Sequence, residues 1–282
     1  MQTIDLTAKD GAVLHAVTIG LDDSNIKAII IISHGFGEHS GSYIELAEDL
    51  HKAGFASIIP DQRGHGTPPK GSKKWHGLIP RYQCFIDDIF TVTEYVQKQV
   101  PGKPVVLYGH SMGGNIVLNT LLRSLPQQTS IYSCAILESP WLGLYDPINL
   151  AMVIAIKVLS RVMPNLINKQ KLDHNALSSD IERAERYSQD ILYHGLISMR
   201  MIGGILNGCK YAMKNAVNMR LPTYLAYASN ELIVCNKEIL KFANKAGDIV
   251  TAKEYVSNHA IHNDDNRDLL CDDMVKFIEL NI

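Results

Sequence analysis

Two tryptophans and five cysteines are spread over 282 residues, and aromatic side chains make up only 7% of the chain. The cysteines, Cys84, Cys134, Cys209, Cys235 and Cys271, are scattered, odd in number and without C-x-x-C spacing. That pattern argues against a disulfide framework and against a zinc site, and it suits a reducing compartment. Neither sign of charge dominates. Lys and Arg total 27 against 29 Asp and Glu, a net charge of −2, which gives no electrostatic basis for a nucleic-acid partner. Long apolar runs are missing too. The longest, Ile148 to Met163, contains Lys157 and Arg161 and falls short of the roughly 18 residues that span a bilayer. The opening Met1-Gln2-Thr3-Ile4-Asp5 has no basic stretch followed by an apolar one, as a secretory signal would. We therefore expect a cytoplasmic protein, associated with membranes at most at their periphery. No period of 20–50 residues and no low-complexity tract points to a repeat architecture or a linker.

What is present is a chain long enough for a sizeable core, with 46% hydrophobic residues and a prior of one or two domains. Residues 1–18 read as a hairpin turning at Lys9-Asp10-Gly11. Continuous apolar runs at Ile26–Ser33 and Phe55–Pro60 read as strands covered on both faces, with a helix at about Tyr43–Ala53 between them. A helix over Phe85–Val100, a strand over Pro104–Gly109, a helix over Ser111–Arg123 and a strand over Ile131–Leu137 continue the alternation. It predicts an α/β fold with a mostly parallel sheet flanked by helices. From Trp141 to Leu221 the pattern turns mainly helical, interrupted at Pro164-Asn165 and Gly203-Gly204, before strands return at Pro222–Ala228 and Val250–Val256. We expect residues 1–140 and 222–282 to form one core, and residues 141–221 a helical cap inserted after the sixth strand.

Gly109-His110-Ser111-Met112-Gly113 carries G-x-S-x-G between a predicted strand and a predicted helix. A strained turn there exposes the Ser111 hydroxyl as a nucleophile, and the Met112 N–H at the helix start can stabilise an oxyanion. Ser33-His34-Gly35-Phe36-Gly37-Glu38-His39 leaves the first long buried strand, so the Phe36 N–H is the candidate second donor. Glu38 and His39 are candidates for hydrogen bonds to polar substrate groups, or for holding that loop in shape. In Asp61-Gln62-Arg63-Gly64-His65-Gly66, Asp61 and Arg63 are placed to pair across a tight turn, and His65 reads as structural. A base and an orienting acid should follow the last strands. His259 leads as base, with His262 as its competitor. Glu231 is the only carboxylate in the loop after Pro222–Ala228, and Glu138 is the fallback acid.

Taken together, S-H-G-F-G-E-H-S-G (Ser33–Gly41), D-Q-R-G-H-G (Asp61–Gly66), G-H-S-M-G-G (Gly109–Gly114) and H-A-I-H-N (His259–Asn263) resemble the monoacylglycerol lipase and lysophospholipase branch of the α/β-hydrolase superfamily. So does the stretch Val158–Leu166. The resemblance covers nearly the whole chain. It implies an α/β-hydrolase fold and a serine carboxylester hydrolase for single-chain lipid esters, monoacylglycerol-like or lysophospholipid. It further implies Ser111 as nucleophile, His259 as base, the Phe36 and Met112 amides as oxyanion hole, and no metal or organic cofactor. The chain departs from the family where Glu231 stands in place of the usual Asp, and where Ala260 replaces the usual Glu after the histidine. In the cap, Ile148, Met152, Ala155, Ile156, Leu159 and Met163 form a broad apolar face. It reads as an acyl-binding channel, a membrane or micelle contact, or a face packed on its own core. A short-chain or aryl esterase, and a non-catalytic binding protein on the same scaffold, are the alternatives.

Overall fold

The computed structural model describes residues 1–69 and 75–282. Its elements run β1 (Gln2–Thr7), β2 (Val13–Ile19), β3 (Ala28–Ser33), α1 (Ile44–Lys52), β4 (Phe55–Pro60), α2 (Gln83–Gln99), β5 (Val105–His110), α3 (Met112–Arg123), α4 (Pro126–Thr129) and β6 (Tyr132–Glu138). There follow α5 (Leu150–Val162), β7 (Ile167–Lys169), α6 (Ile181–Gln189), β8 (Leu196–Ser198), α7 (Met199–Asn215), β9 (Thr223–Ala228), α8 (Asn236–Ala246), β10 (Val250–Tyr255) and α9 (Arg267–Glu279). Eight strands form one sheet in the order β1-β2-β4-β3-β5-β6-β9-β10. Only the β1–β2 and β2–β4 pairings are antiparallel. Every residue of β3 and β4 is buried, because helices cover both faces. On one face the apolar sides of α2, α3, α7 and α8 fill the core, and on the other those of α1 and α9.

The register lines up the strand ends that matter. Ser33 pairs with Gly109, His110 with Glu138, and Glu138 with Ala226. Loops leaving β3, β5, β6, β9 and β10 therefore emerge together at the carboxyl edge, where open α/β sheets build their sites.

The chain between β6 and β9 differs from the sequence expectation in two respects. It contains a short antiparallel ladder, β7 with β8, in a stretch expected to be helical; three residues per strand leave too little alternation to recognise. And α7 runs unbroken through Gly203-Gly204, where an interruption was expected. The glycines serve close packing instead: a Cβ on Gly203 would lie 2.9 Å from Ser160 Cβ, and one on Gly204 2.7 Å from Tyr82 Cβ. Arg63 also finds other partners than Asp61. It makes paired hydrogen bonds to Asp10 at 2.7 and 2.8 Å and to Asp88 at 2.7 Å each, while Asp61 accepts the Ser40 and Thr67 N–H groups. All five cysteines are free thiols. Among the described residues no helix is long and apolar enough to cross a membrane.

Candidate active site

Ser111 sits between β5 and α3 with φ 51° and ψ −114°. Among the described residues only Ser111 and Ser139 combine a side chain with positive φ, a conformation that L-residues adopt only where the surroundings impose it. Three backbone bonds do so here. The Ser111 N–H donates to Glu138 O at 2.9 Å, and Ser111 O accepts from Trp141 at 2.9 Å and Asn115 at 3.1 Å. Gly113 lets the start of α3 press onto the end of β3, since a Cβ there would lie 1.9 Å from Ser33 O. The helix N-terminus, with its unpaired N–H groups and partial positive charge, is thereby held against the loop that carries Phe36.

His259 lies just beyond β10, and Glu231 just beyond β9. The His259 Nδ1–H donates to Glu231 Oε2 at 2.7 Å. Glu231 Oε1 accepts the Ile233 and Val234 N–H groups at 2.8 and 3.1 Å. The pair is almost wholly buried, with side-chain exposures of 2% and 1%. Burial works against both charges. It is outweighed by the mutual attraction, the shared hydrogen bond and the two backbone donors, so the Glu231 carboxyl lies below its ordinary range and the His259 imidazole above its own. His259 Nε2 and Ser111 Oγ have no hydrogen-bond partner among the described residues, and both side chains line the same cavity.

Neither the Phe36 N–H, in the loop after β3, nor the Met112 N–H, at the start of α3, donates to another group among the described residues. The Phe36 ring stands edge-on to His65, Trp141 and His194. Glu38 also borders the cavity, but its oxygens are occupied: Oε2 by the Gly35 N–H at 2.7 Å and the Tyr43 hydroxyl at 2.6 Å, Oε1 by the Tyr187 hydroxyl at 3.2 Å. Those bonds brace the loop. His39 ties the same loop to Asp190 at 2.6 Å. His65 is buried, and burial together with nearby imidazoles pushes its pKa well below the usual value.

Glu138 and His262 form a second acid–histidine pair, separate from the first. His262 Nδ1 lies 2.9 Å from Glu138 Oε1, and the His262 backbone N–H reaches the same oxygen at 3.2 Å. Tyr108 donates to Glu138 Oε2. His110, Glu138 and His262 bring three metal-type donor atoms within 4.8 Å of one another. His262 Nδ1 is hydrogen-bonded to Glu138 and His110 Nδ1 to the Tyr43 hydroxyl, while His262 Nε2 has no partner among the described residues; the group is a buried polar network. Sequence reasoning missed Tyr43, Tyr108 and Tyr187, which pattern alone assigns to the core; only their hydroxyls distinguish them from phenylalanine.

The cavity has a volume of about 480 Å³. Ile148, Met152, Ala155, Ile156 and Leu159 line one wall, Trp141, Leu144, Ile202 and Ile233 others, and Asn168, Gln170, Lys171 and Asp173 supply polar groups. Helix α5 is apolar on its outer side as well. Leu150, Ile154, Val158 and Val162 are 74, 54, 51 and 67% exposed, so α5 is apolar both toward the cavity and toward solvent.

The profile of the serine aminopeptidase S33 family matches residues 24–266. A monoacylglycerol lipase of Mycolicibacterium smegmatis is 26% identical over 271 residues, 95% of this chain and 94% of that protein. A monoglyceride lipase of Rattus norvegicus is 32% identical over 214 residues, 75% of this chain and 67% of that protein. Among solved structures, a soluble variant of monoglyceride lipase from Saccharomyces cerevisiae superposes with a TM-score of 0.85 at 22% identity, over 100% of this chain and 96% of that one.

Proposed function

The chain belongs to the serine aminopeptidase S33 family of α/β-hydrolases, and on that premise we propose that it hydrolyses single-chain lipid esters, monoacylglycerols first, through an acyl-enzyme on Ser111. It is a serine ester hydrolase acting on lipid esters. One observation carries the finer reading: Ser111, the Glu231-bound His259 and the Phe36 loop border a single, largely apolar cavity.

In this scheme Ser111 Oγ attacks the ester carbonyl carbon while its proton passes to His259 Nε2. The carbonyl oxygen becomes an oxyanion beside the Phe36 and Met112 N–H groups. As the intermediate collapses, the ester C–O bond breaks and His259 returns the proton to the leaving alcohol. Water then repeats the sequence on the acyl-enzyme, releasing the fatty acid and restoring Ser111. Glu231 holds the Nδ1–H tautomer and stabilises the imidazolium. Ile148, Met152, Ile156 and Leu159 take the acyl chain. Lys171 and Asp173 suit a charged headgroup, which makes lysophospholipids the second substrate class.

We read residues 141–221 as the lid over this cavity. The outer face of α5, apolar but flanked by Lys157 and Arg161, serves as a peripheral contact with a membrane or micelle. Labelling with a fluorophosphonate probe tests the catalytic reading: the wild type should label and Ser111→Ala should not. Absence of wild-type labelling would make the protein a binder. Specificity should rise with acyl length, by up to about 0.8 kcal/mol or fourfold per buried CH₂ until the channel is full. A steady fall from acetyl upward would identify a short-chain esterase instead.

A further inference from the structure

Behind the Glu231–His259 pair lies a buried layer of charge that the scheme above leaves unused. Its centre is His110, the residue before the nucleophile. The His110 ring is 4.8 Å from that of His259 and 5.0 Å from that of His262, centroid to centroid. His110 Nδ1 faces the Tyr43 hydroxyl at 2.9 Å and Glu38 Oε2 at 3.4 Å. Its Nε2 faces the His259 carbonyl at 3.4 Å and Glu138 Oε1 at 4.0 Å. Two carboxylates, exposed to 1% and 0%, thus flank one imidazole that touches the proposed base.

We propose that Glu138, with Glu38, is a positioning residue for His259: across the His110 ring, their two negative charges favour the imidazolium that forms as Ser111 is deprotonated. The proposal rests on the reading of His259 as base. Its physical ground is the composition of the layer. Among the described residues no Lys or Arg pairs with either carboxylate; the neighbours are histidines and tyrosines. Buried charge without a fixed counter-ion is unfavourable, and it becomes useful where a positive charge appears transiently alongside. Burial opposes ionisation of both carboxyls, but each accepts two hydrogen bonds that favour the ionised form: Glu38 Oε2 from the Gly35 N–H and the Tyr43 hydroxyl, and Glu138 from the His262 N–H and the Tyr108 hydroxyl. Burial and the same carboxylates push Tyr43, Tyr108 and Tyr187 well above theirs, as burial and Glu38 do Tyr193, so none of them adds charge near neutral pH. After Glu231, the charges that raise His259 are Glu38 and Glu138.

The test is the pH profile of kcat/KM for a soluble p-nitrophenyl ester, measured on Glu138→Gln, Glu138→Asp and Glu38→Gln. Glu138→Gln removes the charge and should move the acid limb to lower pH by about half a unit or more, with kcat lower by about tenfold. Glu138→Asp disturbs packing at least as much but keeps the charge, and should retain the wild-type limb. Equal losses in Gln and Asp variants, with an unmoved limb, would leave Glu138 a structural support and overturn the proposal. Should Glu138→Gln fail to fold, Glu38→Gln carries the same prediction. The ¹³C carboxyl shifts of the wild type provide a check without substitution: either glutamate found protonated where the enzyme is active overturns the proposal. If the acid limb instead survives in the residual activity of His259→Ala, the assignment of the base has failed. A limb that disappears with His259 but ignores both glutamates refutes only the proposal.

Discussion

Replacing Glu231 by Gln changes few atoms, and the structure dictates how the amide must sit. Glu231 Oε1 accepts two backbone N–H groups, from Ile233 and Val234, at 2.8 and 3.1 Å. The amide oxygen must stay there, because an NH₂ would oppose both donors. The NH₂ then occupies the Oε2 position, 2.7 Å from His259 Nδ1. As a donor it requires Nδ1 to accept, which shifts the ring proton to Nε2, the atom that must receive the Ser111 proton. Glu231→Gln should therefore lower kcat by about 10³–10⁴-fold, or roughly 4–5.5 kcal/mol. Affinity should barely change, because the amide lies away from the acyl channel. Without the Glu231 charge the His259 pKa falls, so the acid limb of the residual activity moves to lower pH. Thermal stability should drop little, since the backbone donors keep their acceptor. Glu231→Ala leaves the buried Val234 N–H and the part-buried Ile233 N–H without an acceptor, and should lose about 1–3 kcal/mol for the buried one and less for the other. The assay pairs steady-state kinetics on a p-nitrophenyl ester from pH 5 to 9 with a thermal melt. A Glu231→Gln enzyme within tenfold of wild-type kcat would refute the argument about the tautomer.

Gly113→Ala should drive a Cβ into Ser33 O, 1.9 Å away. It should lower Tm by several degrees and kcat by about 10²-fold as the two oxyanion donors separate, which melting and active-site titration would show. Arg63→Met leaves the buried Asp88 without its partner and should remove about 3–5 kcal/mol in urea unfolding. The Asp10 contribution also has a pH signature. The Arg63 hydrogen bond and charge hold that carboxyl at about 2 against 3.8, so wild-type stability from this pair is complete above the higher value and fades as pH falls through the lower. The Met variant should lack that acid dependence. Ile154→Glu with Val158→Glu on the outer face of α5 should cut partition to lipid vesicles at least tenfold. Turnover of a water-soluble ester should stay within about twofold, because neither residue borders the cavity.

The parts legible in the sequence were those that local pattern encodes. The fully buried runs of β3 and β4 admit only strands covered on both sides, and G-x-S-x-G between strand and helix marks its own turn. The loops carrying Ser111, Glu231 and His259 could be located because each follows a strand of one parallel sheet. Contacts between distant segments were illegible. Nothing near Arg63 announces Asp10 and Asp88 as partners. Gly203-Gly204 carries the same letters whether a helix ends there or packs tightly. Glu38, His110, Glu138 and His262 come from four separate segments, and only the sheet register brings them together.

The backbone between β6 and β9 is stitched into the loops that carry Phe36 and His259. His194 donates to Gly37 O at 3.0 Å beside Phe36, while His259 and Ala260 donate to Ala176 O and Leu177 O at 3.2 and 2.9 Å. Such a segment is not an interchangeable module. On the function proposed above, exchanging residues 141–221 would remove the backbone partners of the Phe36 loop and of His259 together, so a chimaera made to change chain-length preference should change turnover in the same stroke. Chain-length preference can instead be varied at the side chains that line the cavity, those of α5 among them, without unpicking those stitches.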